Sequence, residues 1–225
     1  MRFPPFANLC RTGAAILLLS VAVGCSLLQP TATPPPSFYA LDGGLRGAVA
    51  VAPAPMPGNP AAPTLIVNPM RAAAGYDSAH ILYQREAHKL EHFAHSEWVD
   101  TPARMLMPPL AGALEATGAF RAVVVTPSAA AGDVRLDTEI IRLQHDFTGQ
   151  PSGVRFTLRA YLVDNNTRRV LAWREFDGRA DATSADPYGG VVAANQVTRA
   201  VLAELALWGA NAARDLRAEK PEARP

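Results

Sequence analysis

Two runs of alternating residues constrain the fold of this chain more than any other feature. One side of the first run holds Val134, Leu136, Thr138 and Ile140, and one side of the second holds Val154, Phe156, Leu158, Ala160 and Leu162. Successive side chains of a β-strand point to opposite faces, so each run predicts a strand with one buried face. After Ile140 the apolar positions shift to Ile141, Leu143 and Phe147, and this change of phase predicts a β-bulge. The chain therefore predicts a sheet that is covered on one side.

Further strands are expected before and after these two runs. Residues 164–167 have the composition of a turn, so residues 169–176 should return antiparallel to the second run. The other segments with strand composition are Ser37–Asp42 as an edge strand, Leu65–Val67, a hairpin of Ile81–Gln84 with Lys89–Phe93, and Phe120–Thr126.

A helix is expected after the hairpin. Thr101 and Pro102 form a helix start, with a capping residue followed by proline at the first helical position. Apolar residues then recur at helical spacing until Gly118, which predicts the C-terminal stop. Pro108-Pro109 interrupt this pattern, so we expect a kink or a restart of the helix there.

A second helix is expected near the C-terminus. Asp186-Pro187 opens it, and one face carries Val197, Val201, Leu205 and Trp208. The opposite face carries Asn195, Gln196 and Arg199, where we expect substitutions to be tolerated. Together these elements predict an α/β fold with a mixed, mainly antiparallel sheet of about five strands and helices packed on it.

The N-terminus has the features of an export signal. After Arg2 and Arg11, residues 13–23 form an uncharged apolar run. This run is shorter than the roughly 20 residues that a membrane-spanning helix needs, but it has the length of a signal-peptide hydrophobic region. It ends at Ala22-Val23-Gly24-Cys25, which resembles a bacterial lipobox, although Ala22 stands where Leu is usual. We expect residues 1–24 to be a signal peptide and Cys25 to be lipidated. The alternative is an ordinary secretory signal with an incidental cysteine.

Acyl chains on Cys25 would hold the protein firmly to a membrane. Ser26 follows, and by the enteric sorting rule this residue, unlike Asp, favours the periplasmic face of the outer membrane. Nine of the 20 prolines lie in residues 26–63. They predict an extended tether over residues 25–36 and an Ala/Pro-rich loop over residues 43–63.

The remaining sequence is expected to form one domain over residues 37–213 and a disordered tail over residues 214–225. Acidic and basic residues are nearly balanced, with a net charge of +1 and no basic stripe, so nucleic acid is not an expected partner. Both cysteines, Cys10 and Cys25, precede the domain. A disulfide or a thiolate-bound metal within the domain is therefore excluded.

Candidate catalytic and metal-binding residues are few. His88, His92 and His95 would share one face of a helix, but the segment has strand character, which favours exposed histidines on a hairpin over a metal site. Gly189-Gly190 lacks the Gly-Lys-Ser/Thr of a phosphate loop and is interpreted as part of a turn that leads into a helix. No Gly-x-Ser-x-Gly motif is present. Glu86, Glu91 and Glu97 are interpreted as a solvated face. We therefore expect neither an enzyme nor a bound cofactor.

Several segments together resemble a known family. They are Phe38–Leu41, Glu97–Pro102, Gly132–Phe147, Val154–Phe176, and Asp186–Tyr188 followed by Val191–Asn195. In these segments the chain resembles the PqiC-like auxiliary lipoproteins of MCE-type ABC transport systems, from about Ser37 to Trp208. The features that carry the resemblance are packing and turn residues rather than catalytic motifs.

The resemblance implies an α/β domain with a mixed five-stranded sheet and no catalytic residues. It implies a protein anchored through Cys25 that assists an MCE-domain protein, an ABC permease and an ATPase in moving lipids or other hydrophobic molecules between membranes. A homo-oligomer is a further partner arrangement that the resemblance allows. The alternative is a structural or assembly lipoprotein of the cell envelope without a transport role.

Overall fold

The structure, a computed structural model, describes residues 35–43 and 61–219. The predicted signal peptide, Cys25, most of the tether and most of the Ala/Pro-rich loop lie outside these ranges. The described elements, in chain order, are β1 (Ser37–Tyr39), β2 (Thr64–Val67), β3 (Arg71–Ala72), β4 (His80–Glu86), β5 (Lys89–Trp98), α1 (Pro102–Met105), α2 (Met107–Ala116), β6 (Ala122–Val125), β7 (Val134–Asp146), β8 (Gly153–Asp164), β9 (Val170–Asp181) and α3 (Pro187–Glu219).

The sheet is organised around β7. Along one side β7 pairs with antiparallel β8, which pairs in turn with antiparallel β9. Along the other side three short strands, β2, β3 and β4, lie parallel to successive parts of β7. Outside these, β6 is parallel to β2, β5 is antiparallel to β4, and β1 is parallel to β5.

This arrangement confirms the mixed sheet but corrects its size. The described residues form nine strands rather than about five. The long pairings are antiparallel, as predicted. The parallel pairings are shorter, but there are more of them, so the sheet as a whole is not mainly antiparallel. Eight of these nine strands coincide with segments in which strand character was expected, and only the two-residue β3 was not identified. The expected number was too low because a short segment does not show locally whether it joins the same sheet.

One face of β7, β8 and β9 is covered by α3. Leu136, Ile140, Phe156, Leu158 and Phe176 are buried on this side. Val197, Val201 and Leu205 of α3 are buried as predicted, whereas Trp208 is half-buried, edge-to-face with Phe176 at 5.8 Å. The helix lies close to β9, because a Cβ on Gly178 would come within 2.8 Å of both Val197 and Val201. A glycine is therefore needed where strand and helix touch.

The local features of the strands agree with the sequence. The register of β7 against β8 shifts between Ile140 and Arg142, where the bulge was expected. The turn after β8 is held by the Asp164 carboxylate, which accepts hydrogen bonds from the backbone N–H groups of Asn166 and Thr167. The returning strand β9 runs to Asp181, five residues past the predicted end at residue 176.

The first helical region is interrupted as predicted. The helix α1 ends at Met105 and α2 starts at Met107, just before the two prolines. Gly118 follows α2 with a φ of +62°, a left-handed conformation that favours glycine. Thr101 occupies the capping position of α1 but makes no side-chain capping hydrogen bond.

The helix α3 differs from its prediction in length. It continues to Glu219, so the first part of the segment predicted as a disordered tail, residues 214–219, is helical. No helix in the described part of the chain is long and apolar enough to cross a membrane.

Candidate functional site

Cys25, the one site residue named from the sequence, lies outside the described residues. The first described element after it is β1, so β1 connects the domain to the tether. It lies at the edge of the sheet, as expected, and pairs with β5 over three residues only. Leu41, just after β1, is 1% exposed and belongs to the core.

The chain after β1 is also held by two polar side chains of α3. The Asn195 amide donates to the Ala40 carbonyl at 3.1 Å and accepts from the Asp42 N–H at 3.0 Å. Arg199 donates from Nε to the Gly43 carbonyl at 2.6 Å. We call residues 37–43, held in this way, the strap. Asn195 and Arg199, on the face where substitutions were expected to be tolerated, therefore both contact the strap, whereas Gln196 is exposed.

A cluster of rings lies where β4, β5 and β7 meet. We define the aromatic cluster as Tyr83, Phe93, His145 and Phe147. The ring centroid of Tyr83 is 4.5 Å from that of Phe93 and 5.8 Å, edge-to-face, from that of Phe147. His145 lies 4.0 Å from Phe147. Register explains the grouping, because Tyr83 is paired with His145 on β7 and with Glu91 on β5. Tyr83, Phe93 and Phe147 are each half-buried, so part of the cluster reaches the surface.

Arg85 covers the outer side of this cluster. Its guanidinium lies 5.1 Å from the centroid of the Tyr83 ring, within the range of a cation–π contact. The same guanidinium pairs with Glu91 at 2.9 Å. This hydrogen-bonded pair lowers the pKa of Glu91, and the two opposite charges leave no net charge at this edge.

His145 is the buried member of the cluster, at 2% exposure. Its Nε2 is 3.0 Å from the Ser152 hydroxyl. Its Nδ1 has no hydrogen-bond partner and faces the first turn of α3, where a Cβ on Gly190 would come within 2.5 Å. Burial lowers the pKa of His145 below its usual value, and the nearby carboxylates of Asp186 and Asp146 oppose this only in part. The imidazole is therefore neutral at neutral pH.

Asp186 fixes the start of α3 beside His145. Its carboxylate accepts hydrogen bonds from the Gly189 N–H at 2.8 Å and from the Ser184 hydroxyl at 2.9 Å. Both bonds lower the pKa of Asp186, and the bond from the Gly189 N–H has the larger effect. The Gly189-Gly190 pair thus belongs to a capped helix start, in agreement with the interpretation of the sequence as a turn leading into a helix.

A small cavity adjoins His145. Its lining includes Ile81, Trp98, Leu143, Gly190 and Ala194, and its volume of about 10 Å³ is close to the minimum for one water molecule. Pockets that enclose small molecules are larger by more than an order of magnitude, typically about 300–1,000 Å³. This cavity is therefore a packing gap beneath the helix and does not hold a lipid.

The histidines singled out in the sequence do not come together. His88 lies in the hairpin turn with a φ of +65°, and His92 packs against His80 at 4.4 Å between ring centroids. His95 is exposed. Within residues 35–43 and 61–219, no three His, Cys, Asp or Glu side chains are close enough to hold a metal ion.

The face of the sheet opposite α3 is polar. Arg159 on β8 pairs with Glu175 on β9 at 2.9 Å and lies 3.9 Å from Glu139 on β7. Beside this ladder, Tyr161 stacks on Trp173 at 6.3 Å between centroids, and Trp173 is 62% exposed. Exposed ion pairs of this kind contribute little to the free energy of unfolding, so the main effect of these charged side chains is to keep this face hydrophilic.

The aromatic cluster and His145 were not among the candidate residues expected from the sequence. One signal was present: Leu143, His145 and Phe147 alternate, which places His145 on the same face as Leu143 of β7 and Phe147 just after β7. Such a position predicts a buried histidine. The contact with Gly190 had no local signal, because it depends on how α3 lies across the sheet.

Residues 45–206 match the family model of the ABC-type transport auxiliary lipoprotein component. No curated protein is significantly similar to the chain. Among solved structures, a Xanthomonas campestris protein of the DUF330 family is 25% identical, with a TM-score of 0.64, and the match covers 72% of this chain and 93% of that one. An uncharacterised protein at 16% identity and a TM-score of 0.52 shares the fold over 81% of this chain and 99% of its own. The matched family is one of envelope lipoproteins and not a class of enzymes, and because the match spans well over half of the sequence, the chain belongs to the ABC-type transport auxiliary lipoprotein components.

Proposed function

We propose that this lipoprotein is the accessory component of an MCE/ABC-type system that moves lipids or other hydrophobic molecules between membranes. Its partners would be an MCE-domain protein, an ABC permease and the ATPase of that permease. The observation that carries the proposal is the family match over residues 45–206, which runs from just after the strap into α3. The resemblance of five sequence segments to the MCE-associated members adds the kind of transport system.

The proposed anchor is a set of acyl chains on Cys25. Support comes from the uncharged run of residues 13–23, which ends at a lipobox-like Ala22-Val23-Gly24-Cys25. Two or three acyl chains hold a protein to a bilayer far more firmly than one. Ser26 after the cysteine favours the outer membrane, so the domain would face the periplasm.

The described part of the domain offers surfaces that could position a partner. The cavity beside His145 is far too small for an acyl chain, whereas the fold presents a half-buried aromatic edge and a polar sheet face. The strap ties the tether side of the chain into the core through Leu41. An anchored domain of this kind can hold a transport partner near the membrane.

Genetic interaction tests this role. Cells that lack this protein, cells that lack the MCE-domain protein, and cells that lack both are compared for sensitivity to detergents and for the lipid composition of the outer membrane. If the two proteins act in one system, the double deletion is no more defective than the more severe single deletion. Additive defects would contradict the proposal and favour a structural or assembly lipoprotein of the envelope.

A further inference from the structure

We propose that His145 is a proton-sensitive latch, which holds the first turns of α3 against the sheet at neutral pH and releases them, together with the strap, on acidification. The latch consists of the His145 imidazole, the backbone of Gly190 and the hydrogen bonds of Asn195. This device goes beyond the transport role and does not depend on it.

The geometry favours a neutral imidazole. The ring of His145 is almost completely buried, and Nδ1 points to the Gly190 backbone without a partner. A protonated ring would carry a second N–H, which has no acceptor there. It would also place a positive charge beside the N-terminus of α3, whose dipole is positive at that end. The cavity next to the ring has room for about one water molecule, too little to solvate a cation.

The charged groups around His145 do not compensate for its burial. From the α3 side, Asp186 faces the ring, but its carboxylate is already occupied by the Gly189 N–H and the Ser184 hydroxyl. From β7, the Asp146 carboxylate accepts from the backbone and the hydroxyl of Thr148. β4 and β5 contribute Tyr83 and Phe93, and the segment before β8 contributes the Ser152 hydroxyl.

The direction of the pH effect follows from this environment. Burial holds the pKa of His145 below the usual value of about 6.5, so the closed state binds the proton more weakly than an open state in which the ring is solvated. The closed state is therefore fully favoured above about pH 6.5. It loses stability as the pH falls from there toward the pKa of the folded form, by up to about tenfold in the opening equilibrium per pH unit.

The opened segment is connected to the strap. Asn195, five residues after Gly190, holds the backbone at Ala40 and Asp42, and the ring of Tyr188 lies 6.4 Å from that of Tyr39. When the first turns of α3 move away, the strap loses the Asn195 hydrogen bonds and the Tyr188 contact. It is then held more weakly, by contacts that include its short pairing with β5, the burial of Leu41 and the Arg199–Gly43 hydrogen bond. Release of these seven residues would lengthen the chain between Cys25 and the sheet by at most about 25 Å.

Hydrogen–deuterium exchange of the full chain in detergent micelles tests the latch at pH 7.5 and pH 5.5, after correction for the intrinsic pH dependence of exchange. We expect peptides from residues 187–195 and 37–43 to exchange faster at pH 5.5, by up to about tenfold, relative to peptides from β8. His145→Gln, which does not titrate, should abolish this difference. The matched control His92→Gln, at an exposed position, should behave as the wild type.

The proposal would be overturned if the wild type showed no regional change, if β8 changed equally, or if the change persisted in His145→Gln. Should that variant not fold, histidine-selective NMR of the wild type keeps the test decisive. Protonation of His145 must then occur over the same pH range as the loss of protection in residues 187–195. Protonation of His145 with protection of these residues intact would also overturn the latch.

Discussion

At Gly190 the backbone of α3 lies directly against the imidazole of His145, and a Cβ built there would come 2.5 Å from Nδ1. Because His145 is buried and packed on Phe147, the ring has little room to move aside. Gly190→Ala should therefore lower the free energy of unfolding by about 1–3 kcal/mol, the usual cost of overpacking. Chemical denaturation measures this change.

Gly112→Ala is the matched control for this substitution. Gly112 also lies in a helix, but a Cβ there meets nothing within 4 Å. Since alanine has a higher helix propensity than glycine, this variant should be more stable by up to about 1 kcal/mol. Equal effects of the two substitutions would show that the contact between Gly190 and His145 is not tight.

Asn195 provides a second prediction at the residue scale. Asn195→Ala removes the part-buried hydrogen bonds to the backbone at Ala40 and Asp42. The expected loss of unfolding free energy is about 1–3 kcal/mol, with faster proteolysis near the strap. Gln196→Ala, at the neighbouring exposed position, should stay within about 0.5 kcal/mol of the wild type. Wild-type stability of Asn195→Ala would mean that the strap is held mainly by Leu41.

At the scale of elements, Trp208 tests how α3 packs on β9. Trp208 is half-buried and touches Phe176 edge-to-face. Trp208→Ala should cost about 2–3 kcal/mol, less than the 3–5 kcal/mol of a fully buried tryptophan. The adjacent Leu207, at 63% exposure, is the control, and Leu207→Ala should leave the melting temperature nearly unchanged. A Trp208→Ala variant as stable as the wild type, with weaker capture of a partner, would assign this side of α3 to docking instead.

The elements also show what the sequence could predict. The strands β7, β8 and β9 are long and alternate regularly, so their pairing, their bulge and their buried face follow from the residues. The strands β2, β3 and β6 are two to four residues long and pair in parallel with strands far away in the chain. No local pattern encodes such pairings, which is why the expected sheet was too small. For the same reason the polar face of α3 was identified, but its contact with the strap was not.

At the scale of the whole molecule, attachment to the membrane is predicted to depend on Cys25. Acyl chains are the proposed attachment to the bilayer, so their loss should release the protein. Cys25→Ser should abolish labelling by a clickable fatty acid and move the protein from the membrane fraction to the soluble fraction. Cys10→Ser, in the segment expected to be removed, is the control and should label as the wild type. Equal label in both variants and the wild type would refute lipidation at Cys25.

Family membership was predictable from the sequence because the resemblance is spread over packing and turn residues from Ser37 to Trp208, and the family model matches residues 45–206 of the same region. The surfaces on which such a protein would act were not predictable. The aromatic cluster joins residues of β4, β5 and β7, and the strap joins β1 to α3 across more than 150 residues. Both arise only when the sheet and the helix are assembled.

The transport role is tested most directly by purification of the tagged full-length protein from detergent-solubilised membranes, followed by quantitative mass spectrometry. We expect an MCE-domain protein, an ABC permease and its ATPase to co-purify at near-stoichiometric amounts with the wild type. Capture should fall strongly for Cys25→Ser, which no longer resides at the membrane. Recovery of the wild-type lipoprotein without any of these three components would contradict the proposed role.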